Sequence, residues 1–348
     1  MPRHIDQRIL GNTGVALTAL GFGTAPLGEL FSPVTDAEAS RAMEAAWGAG
    51  LRYFDTSPFY GHGKSEIRVG RALAHQLRSD FVLSTKVGRL FHRPADPTQF
   101  LAPVWKGALP LDLTFDYSRD GILRSVEDSY LRLGMNTIDL LLIHDLDAQF
   151  HPDPAELARH RADLRHSGWR ALEELKAGGV IQGWGAGINT RGTMRWFLDT
   201  MPVDFFLLAL RYTLLEHDTL EDELPLCEAK GVGLVIGGVF NSGILATGPR
   251  PGAMHNYAPA APDILARVVR IEAVCASHAV PLTAAALQFP LGHPLVASVI
   301  PGALTGAQVA ANVAAMNHAI PPVFWSDLKA AGLLRPDAPI PMDRKKHQ

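Results

Sequence analysis

The feature that most limits what this chain can become is an alternation. Eight short, almost wholly apolar runs recur along it: TALGFGT (18–24), LRYFDT (51–56), FVLSTKV (81–87), TIDLLLIH (137–144), VIQGWGAGI (180–188), VDFFLLAL (203–210), GVGLVIGGV (231–239) and VASVIPG (296–302). A run apolar at successive positions reads as a strand buried on both faces, the situation of a parallel sheet covered by helices. Helical spacing fills the intervals. Thr35-Asp36-Ala37-Glu38 is a capping box, which satisfies orphan N–H groups at a helix start; Ala39, Met43, Ala46 and Trp47 then share one face, and Gly48 and Gly50 end it. The same spacing predicts helices near 65–77, 119–133, 168–178, 190–200, 218–230 and 305–317. Eight such units predict a closed (β/α)8 TIM barrel, because closure removes both exposed sheet edges; an open doubly wound sheet is the alternative.

No linker or longer repeat divides the chain, so residues 1–348 are expected to form a single domain with its core over about 8–317. The opening segment IDQRILGNTGVALTAL suits a small hairpin capping the N-terminal mouth of the barrel. Stretches 88–118 and 145–167 are too long and too rich in Pro, His and Asp for simple connections and are expected to be active-site or lid loops. From 335 onward, prolines followed by Arg344, Lys345 and Lys346 predict a flexible or surface-draped tail. A net charge of −3 speaks against nucleic acid as a partner. Neither the N-terminus nor any apolar stretch suits a secretory signal or a membrane span of roughly 20 residues, and Cys227 and Cys275 match no metal spacing, so a cytoplasmic protein is expected. Oligomeric state is left open.

In such a barrel the C-terminal strand ends share one face, so Asp55, Lys86 and His144, which end the second, third and fourth runs, should converge with Tyr60 on the loop beyond Asp55. The chemistry of that set can be argued directly. A phenol of ordinary pKa about 10 is a poor acid or base at neutral pH, and an adjacent ammonium favours its phenolate. Lys86 is expected to act so on Tyr60, with Asp55 keeping the lysine charged and His144 hydrogen-bonding the reacting oxygen. Together they suit proton relay between an alcohol and a carbonyl, with an organic cofactor carrying the hydride. The competing readings are a structural Asp55–Lys86 ion pair, a core role for His144 and a Schiff-base Lys86, which Asp55 would disfavour by raising the lysine pKa. His92, His151, His160 and His166 show no ligand spacing, and no metal site is assigned.

LGFGT (20–24), FDTSPFYGHGKSE (54–66), STKVG (84–88), LLIHD (141–145) and VIPGALTGAQVAANV (299–313) together resemble the aldo-keto reductase superfamily over about residues 8–317. FDYSRDGILRS (115–125), LLIHDLD (141–147), RYTLLE (211–216) and GGVFNSGIL (237–245) are most similar to its bacterial group of D-threo-aldose 1-dehydrogenases, L-fucose dehydrogenases and pyridoxal 4-dehydrogenases. The resemblance implies a barrel that binds a nicotinamide dinucleotide, with Tyr60 as general acid/base beside Asp55, Lys86 and His144. It implies a small carbohydrate or aldehyde substrate, oxidised at its hemiacetal or aldehyde carbon to a lactone. The alternatives are an NADPH-dependent reductase of small aldehydes and ketones, and a redox-sensing accessory protein with negligible turnover.

For the cofactor, the resemblance points to Gly23, Thr24 and Asp55 at the rim, to Asn241, Ser242, Gly243 and Leu245 around the pyrophosphate, and to Gly302, Gln308 and Asn312 at the adenosine end. Where relatives place a cation for the 2′-phosphate of NADP, this chain has Gly302, Ala303, Leu304 and Gln308, so NAD is preferred and NADP is the second possibility. Gln308 also completes a capping box from Thr305. At the nicotinamide end Gly187, Ile188, Ala209 and Gly237 depart from the family pattern. Asn189 is then expected to reach the carboxamide if the strand end is bulged. Phe59, Trp105, Tyr212 and Phe240 are candidate substrate walls, and Asp147 reads as an exposed loop acid.

Overall fold

The computed structural model describes residues 5–341. Eight parallel strands form the centre: β1 (Phe22–Gly23), β2 (Tyr53–Asp55), β3 (Val82–Val87), β4 (Leu140–His144), β5 (Gly183–Ile188), β6 (Phe205–Ala209), β7 (Gly233–Gly237) and β8 (Val296–Ile300). Each pairs with its neighbours in chain order. Parallel bridges from Leu20 to Val299 and from Gly23 to Gly302 join the first strand to the last and close the barrel. Closure needs a small residue at the seam, since a Cβ on Gly23 would lie 2.7 Å from the Ile300 carbonyl oxygen.

Alternation along the strands sorts the core into two layers. Tyr53, Leu140, Leu142, Phe205, Leu207, Val235 and Ala297 fill the interior, whereas Phe54, Leu141, Ile143, Trp184, Phe206 and Ile236 pack outward against the helices. The N-terminal hairpin pairs Gln7–Ile9 with Ala16–Thr18 and adds Leu10, Val15 and Leu17 to the interior cluster, so it plugs the bottom of the barrel as expected. The capping box at Thr35 forms, with Glu38 returning to the Thr35 N–H. No single helix among the described residues is long and apolar enough to cross a membrane.

The long connections are more ordered than their composition suggests. Segment 88–118 holds an antiparallel ribbon of Arg89–His92 with Asp112–Phe115. Segment 145–167, expected as a loop, is largely helical: Pro154–Asp163 runs through a π-turn at Leu164–Gly168 into Trp169–Ala177. Asp153 caps its start and Pro154 occupies the first turn, where the missing N–H costs nothing. Between β7 and β8 lie helices Pro262–Ser277 and Leu282–Gln288, which the sequence reading did not single out, and Pro322–Ala330 follows the last barrel helix. Residues 335–341 are drawn onto the barrel: Arg335 pairs with Glu221 and Asp337, and Ala338 is buried. The basic run Arg344, Lys345 and Lys346 lies outside the described residues.

Candidate active site

Strand register delivers the central groups to one place. Asp55 pairs with Ser84, Lys86 with Leu142 and His144 with Gly187, so three inward positions on adjacent strands meet at the upper rim. Lys86 crosses the interior because β5 offers only hydrogen opposite it; a Cβ on Gly187 would stand 3.4 Å from Lys86 Cε. Lys86 Nζ donates to Asp55 Oδ2 at 2.7 Å and to the Thr56 carbonyl at 2.8 Å, and lies 4.6 Å from the centre of the Tyr60 ring. Ser84 donates to the other Asp55 oxygen at 2.7 Å and accepts from the Tyr53 hydroxyl, so this buried carboxylate has both oxygens satisfied. Tyr60 is half-buried, its ring 6.0 Å from that of His144 and 5.7 Å from that of Trp105.

The loop bearing Tyr60 is held by close backbone packing. A Cβ on Gly28 would fall 2.5 Å from the Tyr60 carbonyl carbon, and one on Gly61, at φ +65°, would fall 2.6 Å from the Gly28 oxygen. Below them Glu29 accepts from both Lys64 and Arg68.

A second buried pair, Arg89 with Asp145 at 2.9 Å, flanks His144 and was missed by sequence reasoning. Arg89 is sandwiched by Phe59, Phe115 and Phe150, at 4.2, 5.2 and 4.9 Å from their ring centres. A guanidinium only donates, so His144 Nδ1 accepts from Arg89 Nη1, next to the Ser57 hydroxyl at 3.0 Å. The ring proton then sits on Nε2, which faces Asp145 Oδ2 at 3.1 Å. Burial, and then Arg89 and Lys86, hold the imidazole well below its ordinary pKa, so it is neutral. Burial lifts Asp145 to about 6 against the pull of Arg89. His144 Nδ1 is thus engaged by the protein, and Nε2 presents its proton to a reacting oxygen.

The expected depression of the Tyr60 pKa is not what the geometry gives. Burial first, then Asp55 and Asp145, push the phenol well above its ordinary value, opposed by Arg89. The physical reason is that Lys86 has its charge matched by Asp55 in direct contact, so little of its field is left for the phenol. Burial likewise lifts the Asp55 carboxyl, with Lys86 opposing.

Of the other predicted residues, Phe59 and Trp105 stand with Phe150 as an aromatic wall, Phe59 lying 5.2 Å from Trp105 and 6.1 Å from His144. Tyr212 does not join them. It is fully buried between Phe289 and His293, on the helix side of the barrel. Phe240 packs on the outer core layer. Asp147 is buried, not exposed: the N–H groups of Gln149, Phe150 and Asn189 solvate it.

Asn189 reaches the site without a bulge. β5 is regular through Ile188, and parity returns Asn189 to the face of Gly187. Its Nδ2 donates to Asp145 Oδ1 at 3.0 Å, and its Oδ1 is buried without a partner.

Several expected cofactor residues are spent on structure. Thr24 donates to the Asp55 carbonyl and accepts from Ser65, Asn241 accepts from Thr213 and donates to Leu210, and Leu245 is core. Asn241, Ser242 and Gly243 trace a left-handed loop with φ of 45°, 60° and 104° after β7. Ser242 accepts from the Tyr257 N–H there. Thr305 caps the last barrel helix by accepting from the Gln308 N–H, but Gln308 returns to the Leu304 N–H in place of Thr305, so the expected capping box forms only in half; Asn312 is half-buried near Gly21 and Pro301. Gly302 packs its backbone against Pro26.

A model of the Aldo/keto reductase family matches residues 19–332. Pyridoxal 4-dehydrogenase of Microbacterium luteolum is 44% identical over 338 residues, covering 94% of this chain and 98% of that protein. D-threo-aldose 1-dehydrogenase of a Pseudomonas species is 39% identical, covering 92% of this chain and 96% of its own. Among solved structures, an aldo-keto reductase of Bacillus halodurans in its holo form superposes with a TM-score of 0.72 at 26% identity, over 99% of this chain and all of that one.

Proposed function

Since the chain belongs to the aldo/keto reductase family and is an oxidoreductase, we propose that it oxidises the hemiacetal or aldehyde carbon of a sugar or pyridoxal-like substrate to a lactone, with NAD as hydride acceptor. The observation that carries this reading is Lys86 Nζ held between Asp55 Oδ2 and the face of Tyr60, at 2.7 and 4.6 Å. The names of the two relatives support the substrate class: sugars and pyridoxal both close an aldehyde on a hydroxyl of their own, which presents a ring with one oxidisable carbon bearing a hydroxyl. Phe59, Trp105 and Phe150 offer flat apolar faces for such a ring.

A nicotinamide cofactor, when bound, supplies the hydride chemistry at that carbon. Two observations fit it to these residues. Asn189 Oδ1 is a buried acceptor without a partner, suited to a carboxamide N–H. Residues 301–308 carry no Lys or Arg, so a 2′-phosphate would forgo charge-assisted bonds there, which favours NAD.

Tyr60 takes the substrate hydroxyl proton. Lys86 sets its ammonium against the Tyr60 ring face, where the part of its field that Asp55 leaves unmatched works against burial as the phenolate forms. His144 steadies the reacting oxygen with its Nε2 proton. The test is an NAD-coupled screen of pyridoxal, L-fucose, D-arabinose, L-galactose, L-xylose and D-galactose at alkaline pH, with Tyr60→Phe as control. Turnover of at least one substrate with NAD, lost in the variant, is expected. No turnover across the panel, or turnover with NADPH alone in the reducing direction, sinks the proposal.

A further inference from the structure

Beneath the β4 end, away from the reacting groups, the helical segment that replaced an expected loop assembles a different cluster. His151 precedes the helix Pro154–Asp163, and Glu156 and His160 sit four residues apart on it, hence on one face. One donor atom from each lies within 4.8 Å of the others. Both imidazoles are buried, while Glu156 is at the exposed rim.

The hydrogen bonds say which atoms are available. The Tyr117 hydroxyl donates its one proton to the His144 carbonyl at 3.0 Å, so it accepts from His151 Nε2 at 3.1 Å. That fixes the His151 proton on Nε2 and leaves a lone pair on Nδ1. His151 Nδ1 is buried with no partner; at His160 Arg159 donates to Nε2, which also faces Glu156 Oε1 at 3.4 Å, so that ring's lone pair is on Nε2 and its buried Nδ1–H is the group without a partner. A buried polar atom without a partner is rare in a native protein, and one explanation is an ion or water that belongs there. The surrounding charge is mixed. Arg159 touches His160 Nε2 at 3.1 Å, but its side chain is exposed and can swing away, and Arg89 also faces His151; Glu156, Asp147 and Asp163 oppose them.

We propose that His151, His160 and Glu156 form a binding site for a borderline divalent transition-metal ion, with Zn2+ the best match, completed by water. Two imidazoles and one carboxylate are a donor set that zinc accepts, and it leaves a fourth position for solvent. Calcium and magnesium would want oxygen donors instead. Ligand bonds of about 2.0–2.1 Å set tetrahedral donors well inside the 4.8 Å spread of these atoms, so the three have to draw in around the ion. The rim position of Glu156 gives it the freedom to do so. The ion is linked to the catalytic strand through His151 and the Tyr117 hydroxyl bound to the His144 carbonyl, and through Phe115, which packs on both imidazoles and on Arg89, so its role is to brace that strand end. The inference is independent of the redox reading.

The experiment titrates ZnSO4 into chelator-treated full-length protein against a chromophoric competitor, and repeats it with Co2+ to read the visible absorption of the bound ion. Wild type is expected to bind one Zn2+ per chain and to give Co2+ bands of low coordination number. Glu156→Gln, a rim substitution that leaves the core untouched, and His160→Ala should each weaken binding by more than the about 10–100-fold that losing a supporting hydrogen bond costs a metal site. Absence of stoichiometric binding, or equal affinity in folded Glu156→Gln, would overturn the proposal.

Discussion

Two cation–carboxylate pairs lie side by side under the mouth of the barrel, and they are built differently. Lys86–Asp55 and Arg89–Asp145 are equally buried, with every side chain at most 4% exposed. Lys86 has one face turned to Tyr60, while Arg89 is enclosed by three phenylalanine rings and hydrogen-bonded to His144. Lysine is a point charge on a flexible stem, and arginine a flat fork that stacks and grips. The first pair therefore serves a proton that comes and goes, and the second holds an imidazole still. Burial alone does not distinguish a chemical pair from a positioning one; what the cation faces does.

The contrast can be broken by removing each cation in turn. Lys86→Met should have the largest effect, lowering kcat by about 10²–10⁴. It also leaves Asp55 uncompensated, at a cost of about 3–5 kcal/mol in denaturant unfolding. Arg89→Met should cost a similar amount of stability, since Asp145 is left alone, but lower kcat far less, and it should raise the pKa of His144, visible by NMR titration of the imidazole. Equal losses of kcat in the two variants would erase the distinction. Gly28→Ala pushes on the Tyr60 backbone without touching either pair, and should cost up to about 100-fold in kcat with little change in KM.

The smallest effect concerns pH. His151 and His217 are each held down to about 4, chiefly by burial, against an ordinary value of 6.5. The unfolded chain takes up these protons before the folded one, so their contribution to stability is complete above pH 6.5 and is lost as pH falls toward 4. The melting temperature should decline across that window, and less steeply in His217→Gln than in wild type. A flat profile would mean that neither ring is buried neutral.

The barrel and its strand ends were legible because a strand buried on both faces writes itself as a continuous apolar run, and the polar residue that ends it stands out. Asp55, Lys86 and His144 were found that way. Arg89 and Asp145 also end strands or follow them, but nothing in their sequence neighbourhood says that they pair with each other across 56 positions. Tyr212 lies just past a strand end, where parity no longer tells inside from outside. Asp147 reads as exposed because its solvation by backbone N–H groups is a property of how the loop folds. The cluster at 151–160 is not legible from composition, because Pro, His and Asp mark its segment as a loop; once Glu156 and His160 share a helix, their spacing carries a signal.

The pH dependence of kcat for NAD-linked oxidation, in wild type and Tyr60→Phe, decides whether the Tyr60 phenol carries the substrate proton. Log kcat should climb with a slope of about one from neutral pH to about pH 10 without levelling off, because the phenol is held above its ordinary value, and the phenylalanine variant should be nearly inert at every pH. A plateau already reached by about pH 8, or a variant with ordinary turnover, would contradict it.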